Sequence, residues 1–162
     1  MKTLGVIGGL GPMATSYFLR RIVELTDAQT DQEHLDVIVF NRPSIPDRTA
    51  YILDSTNPSP LPPIVDAARK LEQLGASCIA IPCITSHALF SAFSAAVRIP
   101  FIHILRETAS YLKENGVRTA GILATTGTIR ASLFQSALAE KGIGCVLPDG
   151  LNQERVMSLI YD

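Results

Sequence analysis

The 162-residue sequence predicts an α/β fold of parallel strands joined by helical crossovers, and three observations carry that prediction. Short apolar, β-branched runs alternate along the chain with stretches of helical period. The first run ends in a glycine-rich turn, Gly8 to Thr15 (GGLGPMAT), which opens a helix with Pro12 at an early helical position. A shift of 116 residues lays Lys2 to Phe18 (KTLGVIGGLGPMATSYF) over Arg118 to Phe134 (RTAGILATTGTIRASLF). Thr3 then meets Thr119, Gly5 meets Gly121, Gly11 meets Gly127, Ser16 meets Ser132 and Phe18 meets Phe134, so both copies read as strand, tight turn and helix start.

In chain order, the β-branched runs predict strands near residues 3–8, 36–41, 77–82, 99–102, 118–124 and 143–147. The helical patterns between them predict helices near 12–28, 62–74, 86–96, 104–114, 128–140 and 151–161, packed as right-handed crossovers. Pro43 to Pro63 holds six prolines and is neither regular helix nor central strand throughout, which predicts a long ordered loop or a lid. If the repeat is a duplication, a second unit begins around Arg118, and only two of its strands fit before Asp162. A parallel sheet that small leaves apolar helix faces uncovered, so self-association is expected.

Composition narrows the function classes. Fourteen Lys and Arg balance fifteen Asp and Glu, with no basic run interleaved with aromatics, so no nucleic acid is expected as a partner. Mean hydropathy is +0.25, yet no apolar segment reaches the roughly 18 residues of a membrane span. The opening MKTLGVIGG is too short in its apolar part for a cleaved signal, and a cytoplasmic protein is expected. Cys78, Cys83 and Cys145 form no CxxC pair, so reduced thiols are the default. Three scattered histidines have no ligand spacing, and no metal is expected.

The segment Ile79 to His87 (IAIPCITSH) runs a buried-looking strand straight into a cysteine. Cys83 is either a small core residue or a nucleophile outside the carboxyl end of a strand, where open α/β sheets bind ligands. A helix beginning just after it would stabilise a thiolate. Thr85 and Ser86 can cap that helix or bind a carboxylate. His87 lies one turn on, which leaves a Cys–His pair as an alternative to a packing histidine. Cys78 and Cys145 read as buried fillers within strand patterns. Gly9 to Ala14 loosely fits the dinucleotide fingerprint, but the next strand ends in Asn41-Arg42 where an acidic residue is expected; Arg42 could suit a 2′-phosphate. In Ala124 to Ile129 (ATTGTI), the hydroxyls can bind carboxylate oxygens or, as for Thr128, simply cap a helix. Arg48 in IPDRT is either a surface partner of Asp47 or a cation aimed at a carboxylate.

Taken together and in this order, GVIGGLGPMAT, NRPSIPDRT, PCITSH and LATTGTI resemble the aspartate/glutamate racemase family, especially its aspartate racemase branch. The resemblance spans nearly the whole chain. It implies two similar parallel-sheet α/β lobes related by pseudo-twofold symmetry, the second incomplete here, with the active site in the cleft between them. Residues 1–102 would form the first lobe with the catalytic-thiol motif, and 103–162 the start of the second. It also implies catalysis without pyridoxal phosphate, metal or nucleotide, on a small dicarboxylic amino acid. A homodimer is a separate expectation for the assembly.

Family members use two cysteines on opposite faces of the substrate α-carbon, one to remove the proton and one to deliver it. Carried over, Cys83 is the first-lobe catalytic thiol. Gly11, Thr85, Thr126, Gly127 and Thr128 fall among the groups around the substrate carboxylate, and Arg48 resembles the arginine that holds the side-chain carboxylate. Ile84 stands where the family usually has asparagine. The second thiol belongs in a later glycine-cysteine-threonine turn, near position 199 by the repeat offset, and Cys145 lies on too early a strand to replace it. The chain is therefore expected to be the front part of a racemase-like protein and inactive alone; the rival expectation is a noncatalytic dicarboxylate-binding or interaction protein.

Overall fold

Strand β1 (Leu4–Gly8) is buried along its whole length because strands pair with both of its edges. In the computed structural model, which describes residues 2–161, β2 (Val37–Asn41) and β3 (Cys78–Ala80) flank it in parallel, in the order β2-β1-β3. Leu4 stands opposite both Val37 and Cys78, and Gly8 opposite Asn41. The alternation of the strand assigns its side chains to two faces. Ile7 joins the larger core with Ile64, Leu71, Ile79 and Phe93, under α3 (Leu61–Gln73) and α4 (Phe90–Ser94). Leu4 and Val6 face the other way and meet Phe18, Leu19 and Ile22 of α1 (Pro12–Leu25).

The second sheet has two parallel strands, β4 (Thr119–Gly121) and β5 (Gly144–Val146), with Thr119 opposite Gly144. Its core gathers Leu105 and Ala109 of α5 (Ile104–Glu114) with Ile122, Leu138 and Ile143. Helices α6 (Thr126–Arg130), α7 (Leu133–Glu140) and α8 (Gly150–Tyr161) complete this part. Leu123, Val146, Leu151 and Leu159 remain exposed, the last at 85%.

Several expectations are corrected. Residues 99–102 do not form a strand; one parallel bridge joins Phe101 to Ile79. The helix expected over 86–96 is a 3₁₀ turn, Thr85–Leu89, followed by the short α4, because side chains of Ser86 and His87 bind back to the Cys83 carbonyl and tighten the first turn. The helix expected over 128–140 breaks at Ser132, which adopts a left-handed conformation (φ 52°) between α6 and α7. The proline-rich segment is not all loop: it contains α2 (Arg48–Leu53), capped by the Asp47 carboxylate on the Ala50 amide at 2.6 Å, and the proline-led start of α3. Cys78 and Cys145 are not buried; both are half-exposed, and Cys83 is the most enclosed of the three thiols.

No helix among the described residues is long and apolar enough to cross a membrane.

Candidate active site

The chain leaves β3 through Ile81 and Pro82 and turns sharply at Cys83, whose amide donates to the Ile81 carbonyl at 2.8 Å. The Cys83 carbonyl is held from the far side by the Ser86 hydroxyl (2.7 Å) and His87 Nδ1 (3.0 Å). With its backbone fixed, Cys83 lines a cleft of about 340 Å³ at the carboxyl end of the first sheet, between the two sheets. The side chain is 9% exposed.

His87 serves this backbone anchor. Its ring stacks on Phe90 (centroids 5.7 Å apart) and meets Phe93 and His103 edge-on. Burial pushes the imidazole down from 6.5 to about 4, with the Cys83 carbonyl partly opposing, so it is neutral at pH 7. No hydrogen bond joins it to the thiol among the described residues, and the Cys–His alternative is not formed.

The first lobe supplies two more walls. Leu10, Gly11 and Ala14 come from the glycine-rich turn, where Gly11 takes a φ of 107°. Thr15 locks that turn: its hydroxyl accepts from the Gly9 amide and donates to the Gly11 carbonyl. Arg42 is bound to Asp66 at 2.7 Å, so both the turn amide and the cation that the nucleotide alternative needed are already engaged. Asp47, Arg48 and Thr49 enter from the first turn of α2. Arg48 does not pair with Asp47. Its Nη1 donates to the carbonyls of Ile45 and Pro46, and its Nε is buried without a partner. No carboxylate neutralises it among the described residues.

The second lobe closes the cleft with Thr125 and, from the end of α8, Ile160 and Tyr161. Thr125 caps α6 by accepting from the Thr128 amide at 3.3 Å, which corrects the reading of Thr128 as the cap. Helix α2 docks against α6, and a Cβ on Gly127 would lie 3.0 Å from the Thr49 Cα, so glycine lets the two helices approach this closely without displacing α2. The repeat mates Gly11 and Gly127 thus serve different ends, one a turn and the other a contact between lobes.

Of the residues singled out from the sequence, Cys83, Gly11, Arg48 and Thr85 line the cleft together. Thr126, Gly127 and Thr128 stand behind it. The Thr126 amide points to Met157 Sδ at 3.2 Å, and its hydroxyl accepts from Gln153. Thr128 is 1% exposed. Ile84 packs on the second lobe's core and is not a cleft residue. Sequence reasoning missed Thr49, Ile160 and Tyr161; Thr125 falls among the ATTGTI hydroxyls it singled out, whereas α8 reaches the cleft only through tertiary packing. No group of three or more His, Cys, Asp or Glu side chains suited to a metal occurs among the described residues.

An enclosed thiol at a strand end shares one cleft with hydroxyls and an arginine that no carboxylate neutralises, at the seam between two parallel α/β sheets, the kind of place where open α/β sheets bind ligands. Residues 7–162 match the Asp/Glu/hydantoin racemase family, and the chain belongs to it. It is 28% identical over 145 residues to the broad specificity amino-acid racemase RacX of Bacillus subtilis, covering 86% of this chain and 61% of that protein. Among solved structures, Picrophilus torridus aspartate racemase superposes with a TM-score of 0.89 at 33% identity, covering 99% of this chain and 67% of that one. An Asp/Glu racemase homologue from Yersinia pestis gives a TM-score of 0.83 at 29% identity, covering 99% and 70%. The chain thus spans about 61% of the length of the curated racemase it matches.

Proposed function

We propose that this chain carries the first thiol and most of the carboxylate pocket of a cofactor-independent amino-acid racemase acting on a small dicarboxylic amino acid. The observation that carries the reading is the placement of Cys83 in one cleft with hydroxyls from both lobes and the unneutralised Arg48. Arg48 holds the side-chain carboxylate, and the hydroxyls of Thr85 and Thr125 with the Gly11 turn hold the α-carboxylate. The Cys83 thiolate takes the α-proton and becomes a thiol, leaving a carbanion-like centre whose charge spreads into the bound carboxylate. A thiol on the opposite face then gives up its proton to the same carbon, which inverts the centre. One base returning its own proton to the face it came from would regenerate the starting enantiomer. Neither Cys78 nor Cys145 lines the cleft, so neither is placed to be that second donor.

The same observation supports a second reading, a dicarboxylate-binding protein of racemase descent. Incubation with L-aspartate in D2O separates the two. The chain alone should exchange the α-proton slowly with retention and show no inversion by chiral chromatography, and Cys83→Ser should abolish the exchange. Binding of aspartate without any Cys83-dependent exchange favours the binder. Fast inversion by the chain alone would overturn the two-thiol account.

A further inference from the structure

The hydroxyls of four threonines meet at the seam between the lobes. Thr49 donates to Thr125 at 3.4 Å; Thr85 lies 3.4 Å from Thr125 and 3.2 Å from Thr128; Thr125 and Thr128 are 3.1 Å apart. Thr49, Thr85 and Thr125 line the cleft, and Thr128 sits behind them. A hydroxyl has one proton and two lone pairs. Thr125 Oγ1 accepts from the Thr49 hydroxyl and from the Thr128 amide, which uses both of its lone pairs. The Thr128 proton therefore has Thr85 as its acceptor. Thr85 then has neither Thr125 nor Thr128 left to donate to, and its own proton turns toward the cleft beside Cys83.

From this proton count we infer that Thr128 is a positioning residue: its hydroxyl donates to Thr85 Oγ1 and thereby aims and polarises the Thr85 hydroxyl as the donor to a bound carboxylate. The inference rests on the cleft being the carboxylate site proposed above. It gives the second lobe a part in setting a first-lobe contact, across residues 43 positions apart in the chain. Polarisation along a hydroxyl chain strengthens the terminal donor, and an unanchored rotor weakens it.

The test is a titration with succinate, which offers the carboxylates without a transferable α-proton of an amino acid. Thr128→Val should weaken binding by about fivefold, the scale of one weakened hydrogen bond to a charge, and Thr128→Ser should restore it to within about twofold. In a Thr85→Val background, Thr128→Val should change affinity by less than about twofold, because the group it works through is gone. Equal losses in both backgrounds would mean that Thr128 only stabilises the fold, and wild-type affinity in Thr128→Val would overturn the inference while leaving the carboxylate site intact. Wild-type protein that binds neither succinate nor aspartate would instead sink the proposed function, and this inference with it.

Discussion

The two sheets grow from closely similar stretches of sequence and end in different environments. In the first, β1 has a strand on each edge and helices on both faces, and each of its five residues is buried. In the second, β4 has one neighbour, and Thr119 and Gly121 are exposed. Gly5 and Gly121 occupy matching places in the repeat, yet the first lies under a helix and the second beside solvent. A parallel strand owes its burial to its neighbours. The local pattern sets where a strand begins and turns; the sheet around it decides whether its side chains are worth anything to stability.

The largest effect should come from truncating an apolar side chain on each of the two sheets. Ile7 is fully buried between β1 and α3, so Ile7→Ala should cost about 2–5 kcal/mol, whereas Val146→Ala, at a side chain 58% exposed, should stay within about 0.5 kcal/mol. Urea denaturation at neutral pH checks both. Similar losses would mean that the second sheet is covered in solution, by a second copy or by further chain.

Acid should act on the seam between the lobes. His87 of the first lobe packs against His103, the residue before α5, and its folded state holds the neutral ring down to about pH 4. Burial also lowers His103, adding to the same slope. An unfolded imidazole takes up a proton below about 6.5, so the unfolded chain binds more protons across the window from 6.5 to 4. Stability present above pH 6.5 should therefore fall by up to about 3 kcal/mol as pH drops to 4, chiefly through His87. His87→Gln should flatten this slope. A wild-type urea midpoint that rises on acidification through the same window would show that His87 is not buried neutral.

The sequence made most of the frame legible because it rests on local signals. Glycine turns, β-branched runs and helical periods placed β1, β2, β3 and most helices within a few residues of where they lie. It also marked Cys83, Arg48, Thr85 and Gly11, which converge on one cleft although they come from three separate segments. What it missed is what tertiary contact decides. Residues 99–102 have strand composition but only one bridging contact to Ile79. Helix α2 forms among prolines because Asp47 can cap it and α6 supports it. The burial of Cys78 and Cys145 was misjudged because an apolar strand pattern reports the side chain's preference and not the cover available to it. Ile84, a departure from the family motif, leaves the cleft and joins the second lobe's core, a choice no local pattern reveals.

The smallest effect is expected at the repeat mates Gly5 and Gly121. A Cβ on Gly5 would sit 3.1 Å from the Ala76 Cβ and 3.3 Å from the Leu71 Cβ, tighter than packed side chains normally approach. Leu71 and Ala76 are both buried and have little room to give. Gly5→Ala should therefore cost about 1–3 kcal/mol through overpacking of α3 against the sheet. A Cβ on Gly121 would meet nothing within 4 Å, and the residue does not need a positive φ. Gly121→Ala should then be neutral or gain up to about 1 kcal/mol, because alanine loses less backbone freedom on folding. Thermal melts of the two single variants and the double decide it, and additivity is expected because the sites lie in separate sheets. If Gly121→Ala proves as costly as Gly5→Ala, something packs on β4 in solution as α3 packs on β1, and the second sheet would be as enclosed as the first.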